Sequence, residues 1–149
     1  MSAATIRPVA AGDREAWLPL WRAYQVFYQV DLPASATEAL WARLLDAAEP
    51  IHAALAWNGE TAIGLVQVLT HRSTWTVADL CYLNDLYVTE TARGGGVGQR
   101  LIEYVYTWAE AAGCNRVYWL THETNATARA LYDRVAARTG FLHYAQRLG

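Results

Sequence analysis

Apolar side chains recur along this chain with two periods. Thr5–Val9 alternates briefly and predicts a first strand. From Asp13, a residue type that caps helices, Trp17, Trp21, Tyr24 and Tyr28 recur every three or four residues. That spacing puts one aromatic face on a helix running to about Tyr28. Pro33 restarts the chain, and Leu40, Leu44 and Leu45 mark a second helix ending before Pro50. Ile51–Trp57 and Ala62–Leu69 read as strands joined across Asn58-Gly59, a dipeptide suited to the positive φ of a tight hairpin. Ala78–Val88, rich in Leu, Tyr and Val, reads as a long central strand.

The second half alternates helix and strand. Val97, Leu101, Val105, Trp108 and Ala112 form a helical stripe that stops at Gly113. Arg116–Leu120 has the composition of a buried strand. Asn125 to about Arg138 predicts a helix with Ala128, Leu131 and Val135 inward, and Phe141–Gln146 predicts a last strand. The order is β-α-α-β-β-β-α-β-α-β, an α/β fold with a mixed central sheet and helices on both faces. The 149 residues fit a single domain spanning 1–149.

Composition narrows the chemistry. All 12 basic residues are Arg. Without Lys there is no Walker A phosphate loop, no pyridoxal Schiff base and no Ser-Lys nucleophile. None of Ser2, Ser35 and Ser73 sits in a Gly-x-Ser-x-Gly elbow. A net charge of -2 gives no electrostatic basis for nucleic-acid binding. No run approaches the roughly 18 apolar residues of a membrane span, and Met1–Ala11 lacks the pattern of a secretion signal. Cys81 and Cys114 stand apart in apolar surroundings, as free thiols do. The expected compartment is the cytoplasm. His122-Glu123 lacks the second His of a zinc helix, so no metal is expected.

The segment Asn84–Gly98 carries the strongest signal. A strand ending Leu86-Tyr87-Val88 runs through Arg93-Gly94-Gly95-Gly96 directly into the amphipathic helix that begins Val97-Gly98-Gln99. Consecutive glycines allow positive φ, so successive N–H groups can converge on one point. The helix that follows adds its unpaired N–H groups and partial positive charge. A diphosphate is the natural guest. The dinucleotide fingerprint fails, because Gln99 stands where its third glycine belongs.

Arg93-x-x-Gly96-x-Gly98 after that strand resembles the acetyl-CoA signature of the GCN5-related N-acetyltransferases, commonly Gln/Arg-x-x-Gly-x-Gly/Ala. Asn125-x-x-Ala128-x-x-Leu131-Tyr132, followed by Gly140-Phe141, is similar to that family's second conserved segment, and Ile6-Arg7-Pro8-Val9 with Asp13 to its N-terminus. The form Leu131-Tyr132-Asp133-Arg134-Val135-Ala136 resembles a subgroup that includes yeast histone and polyamine acetyltransferases. The family commonly places three residues between Leu-Tyr and Gly-Phe; here Asp133–Thr139 makes seven. Four extra residues are about one helical turn, which predicts a longer helix.

The resemblance implies direct transfer of acetyl from acetyl-CoA to an amine acceptor, namely a small amine, a polyamine or a protein amine. It assigns the cofactor to Leu86, Tyr87, Val88, Arg93, Gly94, Gly95, Gly96, Val97, Gly98, Gln99 and Asn125, with Arg93 and Arg100 near phosphate oxygens. A widened gap between Asp85–Val88 and Arg116–Leu120 would admit it. Tyr132 is the implied general acid for the leaving thiolate, and Asp85 the candidate base, acting through water. Tyr24, Tyr28 and Glu123 are candidates for the acceptor site, where aromatic faces suit a cationic amine. Trp17 and Trp21 are assigned to core packing. A homodimer is the family expectation. The competing reading is a non-catalytic acyl-CoA-binding or sensing module.

Overall fold

The Asn58-Gly59 signal forms the tight connection it predicts. Gly59 adopts φ +62, where glycine pays no Cβ penalty, and Asn58 pairs with Thr61 across the turn. The strands β2 (Ile51–Asn58) and β3 (Thr61–His71) are thereby antiparallel neighbours. In the computed structural model, which describes residues 4–149, β1 (Thr5–Pro8) pairs antiparallel with β2, and β4 (Leu80–Val88) antiparallel with β3. β5 (Arg116–Tyr118) lies parallel to β4. The result is a five-stranded mixed sheet in chain order. Among the described residues there are four helices: α1 (Arg14–Phe27), α2 (Ala34–Leu44), α3 (Val97–Ala111) and α4 (Ala126–Val135). The chain divides into two compact units. Residues 4–118 hold the sheet and α1–α3, and residues 119–149 hold α4.

In the first unit, successive strand residues face opposite helices. Leu55 and Leu65 point toward α1 and α2, where they join Trp17, Leu20, Trp21 and Trp41 in the core. Trp17 lies 4.8 Å from Trp41 between ring centroids, and an Arg14–Glu38 ion pair ties the two helices together at the surface. Ala56 and Gly64 point the other way, toward α3. A Cβ on Gly64 would lie 3.0 Å from Leu101 and 3.2 Å from Val97. The absence of a side chain there lets α3 seat directly on the sheet, burying Val97, Leu101, Ile102, Val105 and Ala109.

Four expectations need correction. Phe141–Gln146 is not a strand; residues 136–149 adopt neither helix nor strand, and Phe141, Leu142 and Tyr144 are exposed. A short alternating run becomes a strand only when a neighbour supplies its hydrogen bonds, and among the described residues none pairs with it. α4 ends at Val135 rather than near Arg138, so the extra residues leave the helix instead of lengthening it. No residue of α4 is fully buried, and short helices persist chiefly through packing. β5 stops at Tyr118 instead of Leu120, since its ladder with β4 ends at Tyr82↔Tyr118. In α2 the fully buried residue is Trp41, while Leu45 lies at the helix end and is exposed.

Candidate active site

The site begins with an irregularity in β4. Val68 pairs with Leu83, and Gln67, one residue earlier, pairs with Asp85. Asn84 is therefore an extra residue, a β-bulge that shifts the alternation of the strand by one. Paired residues share a face. Tyr82 opposite Leu69, Asp85 opposite Gln67 and Tyr87 opposite Leu65 all lie on the α1 side. A regular strand would have put Tyr82 and Asp85 on opposite faces.

Asp85 is buried, 6% exposed. Its carboxylate is held from several directions. Gln67 Nε2 donates to Oδ2 at 2.8 Å and Asn84 Nδ2 donates to Oδ1 at 2.9 Å. The Tyr24 hydroxyl also hydrogen-bonds to it. Gln67 is itself oriented from behind, because Trp17 Nε1 donates to its Oε1 at 2.8 Å. An indole N–H only donates, so it fixes which end of the amide faces Asp85. Burial pushes the Asp85 carboxyl above its ordinary value, and the bonds from Gln67, Asn84 and Tyr24 restrain that rise. Burial, then the Asp85 charge, pushes the Tyr24 phenol far up, and Tyr28 moves the same way for the same causes. Tyr82 rises through burial, the neighbouring Tyr118 and Asp85. The site thus pairs a buried carboxyl group with phenols whose ionisation burial opposes. Tyr24 stacks on Trp21 at 5.3 Å and meets Tyr28 at 4.7 Å, so the aromatic face of α1 runs from core to site.

Beyond the bulge, the outer edge of β4 is open. β5 accompanies only Leu80–Tyr82, and among the described residues no strand lies beside Leu86–Val88 on that edge. After Val88 a 3-10 turn, Glu90–Ala92, leads to Gly94 at φ +85 and Gly96 at φ +82. Gly96 caps α3 in the left-handed conformation, and the first N–H groups of a helix have no partner within it. Two glycines at positive φ thus lead directly into a helix start whose first N–H groups are free of helical partners. The Gln99 side chain runs along the helix to Glu103. The Arg93 side chain turns back from the loop: its Nε donates to the Val88 carbonyl at 3.1 Å, and its guanidinium lies over the rings of Phe27 and Tyr87.

The second unit holds the remaining candidates. Asn125 caps α4 by accepting from the Ala128 N–H at 3.4 Å. Tyr132 is half-buried and meets Trp119 edge-on at 5.3 Å. Glu123 is exposed, and its carbonyl accepts from Arg129 at 2.8 Å.

Asp85, Tyr24 and Tyr28 are thus brought together, and Gln67, Asn84 and Tyr82, which were not among the sequence candidates, join them. Gln67 did leave a signal. It is a polar residue inside the apolar run Leu65-Val66-Gln67-Val68-Leu69, and a buried polar side chain is the informative exception in a core.

Fold and loop together define the class: an α/β protein whose bulged central strand leads through a glycine loop into a helix. Residues 17–137 match the family model described as the Acetyltransferase (GNAT) family, and the chain belongs to that family. It is 40% identical to a D-amino-acid N-acetyltransferase of Saccharomyces cerevisiae over 93% of this chain and 88% of the relative. An uncharacterized N-acetyltransferase of Bacillus subtilis is 31% identical over 93% of this chain and 94% of its own length. Among solved structures, the aminoglycoside acetyltransferase AAC(6')-Iy, in complex with a CoA-linked bisubstrate analogue, superposes with a TM-score of 0.86. It covers 99% of this chain and 100% of that one at 19% identity, a likeness of fold alone. The protein is an N-acetyltransferase, and enzymes of its family use acetyl-CoA.

Proposed function

We propose that the protein transfers an acetyl group from acetyl-CoA directly to the primary amine of a free amino acid. The observation that carries this reading is the Asp85 carboxylate, buried yet held by Gln67, Asn84 and Tyr24 on the same face as Tyr82 and Tyr87. A carboxyl raised by burial sits closer to neutral pH than an ordinary one and is better suited to take a proton. The acceptor arrives as an ammonium and must lose that proton before its nitrogen attacks. Asp85 receives it through water, and the Tyr24 and Tyr28 rings favour the cation electrostatically. Among amine classes, the named substrate of the yeast relative favours an amino acid.

Acetyl-CoA supplies an activated acyl group on a thiol leaving group. In this reading the N–H groups of Gly94, Gly95, Gly96, Val97, Gly98 and Gln99 meet its diphosphate, and the open edge at Leu86, Tyr87 and Val88 pairs with its amides as an added strand. Tyr132 returns a proton to the departing thiolate. The family resemblance assigns Asn125 to binding the cofactor and Glu123 to binding the acceptor. The enzyme works in the cytoplasm as a homodimer on small soluble acceptors. Its net charge of -2 gives nucleic acid no attraction, and among the described residues no helix is long and apolar enough to cross a membrane.

The test is thiol release from acetyl-CoA with a panel of amino acids and simple amines. General acid–base groups contribute about 10²–10⁴-fold, so Asp85→Asn and Tyr132→Phe should each lower kcat within that range while CoA affinity is kept. If CoA binds but no amine in the panel raises thiol release above background, the reading fails.

A further inference from the structure

The Arg93 side chain turns back from the glycine loop onto the rings of Phe27 and Tyr87. Its Nε is occupied by the Val88 carbonyl at 3.1 Å, which leaves the two terminal nitrogens of the guanidinium to bind something else. The guanidinium centre lies 5.6 Å from the Tyr87 ring centroid and 5.3 Å from that of Phe27. Phe27 in turn meets Tyr28 edge-on at 5.0 Å, and Tyr28 meets Tyr24 at 4.7 Å. Arg93 therefore belongs to the same aromatic wall as the two acceptor tyrosines. Among the described residues no carboxylate forms an ion pair with it.

Asp85 and Tyr87 share the α1 face of β4, and Arg93 covers Tyr87. Two residues of strand separate Asp85 from Tyr87 by roughly 6.6 Å. A carboxyl group and a guanidinium are thus both tied to the α1 face, one directly and the other through Tyr87. An α-amino acid carries the complementary pair, an ammonium and a carboxylate joined through one carbon. With a hydrogen bond at each end it spans roughly 8 Å between its partners, or about 11 Å with one water interposed.

We propose that Arg93 binds the carboxylate of the acceptor through its terminal N–H groups while the acceptor's amine is directed toward Asp85, so that the site selects α-amino acids over amines without a carboxylate. This rests on the amino-acid reading above and adds the residue that enforces it. The Arg93 backbone remains part of the cofactor loop; the side chain serves the acceptor. Phe27 and Tyr87 act as positioning residues that hold the guanidinium flat.

The experiment compares D-leucine with 3-methylbutylamine, which differ only in the carboxylate, as acceptors for the full chain. Wild type should prefer D-leucine. A charge-assisted, bidentate contact is strong, so Arg93→Gln should lower the ratio of kcat/KM values for the two acceptors by about ten- to a hundredfold, chiefly through the KM for D-leucine. Arg93→Lys should recover part of the ratio, as a point charge without the planar fork. The CoA dissociation constant of each variant, measured by calorimetry, should change far less than that ratio. A ratio unchanged in Arg93→Gln overturns the proposal, and an accompanying loss of CoA affinity would return the side chain to the cofactor. Equal use of both acceptors by wild type overturns it as well. Thiol release with D-leucine and with no other loss than the ratio supports it, whereas release with neither acceptor refutes the amino-acid reading and this proposal with it.

Discussion

Gln67→Leu probes the arrangement at its centre. The substitution removes an acceptor from the Trp17 indole and a donor from Asp85, both bonds being 2.8 Å long. Trp17 is 0% exposed, so its N–H has no water to turn to. Leaving a buried donor unpaired costs about 1–3 kcal/mol, and losing a hydrogen bond to a charged group about 1.5–3 kcal/mol. The Leu side chain packs where the amide did and offsets a fraction, so urea unfolding should report a net loss of about 2–4 kcal/mol. A second consequence is separable from stability. Gln67 restrains the rise of the Asp85 carboxyl, which burial already drives upward. Losing a bond of about 1.5–3 kcal/mol at 1.36 kcal/mol per pH unit should move the acid limb of kcat/KM up by about one to two units. Trp17→Phe closes a double-mutant cycle. With no indole N–H to strand, Gln67→Leu should cost less in that background, giving a coupling of about 1 kcal/mol or more. A stability change under about 0.5 kcal/mol together with an unmoved acid limb would refute the chain of dependence from Trp17 through Gln67 to Asp85.

Two further outcomes follow from packing and burial. Gly64→Ala places a methyl 3.0 Å from Leu101, 3.2 Å from Val97 and 3.3 Å from Ala56; displacing α3 to make room should cost about 1–3 kcal/mol in urea unfolding and weaken CoA binding several-fold, because the start of that helix moves with Val97. His52 stacks on Trp108 at 4.4 Å and bonds to the Tyr104 hydroxyl at 2.8 Å, and burial lowers its pKa; the folded chain binds this proton less readily than the unfolded one, so stability is lost as pH falls through the ordinary value of 6.5, and His52→Phe, followed by thermal unfolding, should shrink that loss.

What the sequence made legible were the features whose physics is local. Gly59 announces a hairpin, and Gly94 and Gly96 announce a loop, because positive φ is a requirement of the residue itself. The aromatic stripe Trp17, Trp21, Tyr24, Tyr28 announces a helix face, because helical periodicity needs no partner to be visible. The same stripe is divided by burial. Trp17 and Trp21 lie in the core at 0% and 6% exposure, while Tyr24 and Tyr28 are only partly buried and face Asp85. The C-terminal segment shows the opposite case. Phe141–Gln146 has a strand's composition, yet a strand is a relation between two segments, and composition describes only one of them.

The bulge at Asn84 explains why the chemistry was harder to read than the fold. Strict alternation along Cys81–Val88 assigns Cys81, Leu83, Asp85 and Tyr87 to one face and Tyr82, Asn84 and Leu86 to the other. The inserted residue instead leaves Cys81 and Leu83 buried on the α3 side and brings Tyr82 to join Asp85 and Tyr87 on the α1 side. It also turns the Asn84 amide onto the Asp85 carboxylate, where it donates at 2.9 Å. One unpaired residue therefore both re-aims the carboxylate and supplies one of its donors, and the ladder with β5 has already ended at Tyr82. The same short stretch carries the bulge, the buried anion and the start of the open edge. Deleting Asn84 would make the ladder with β3 regular, with Asp85 directly after Leu83 and still opposite Gln67 on the α1 face, and would remove the donor to its Oδ1 without altering a single residue of the glycine loop.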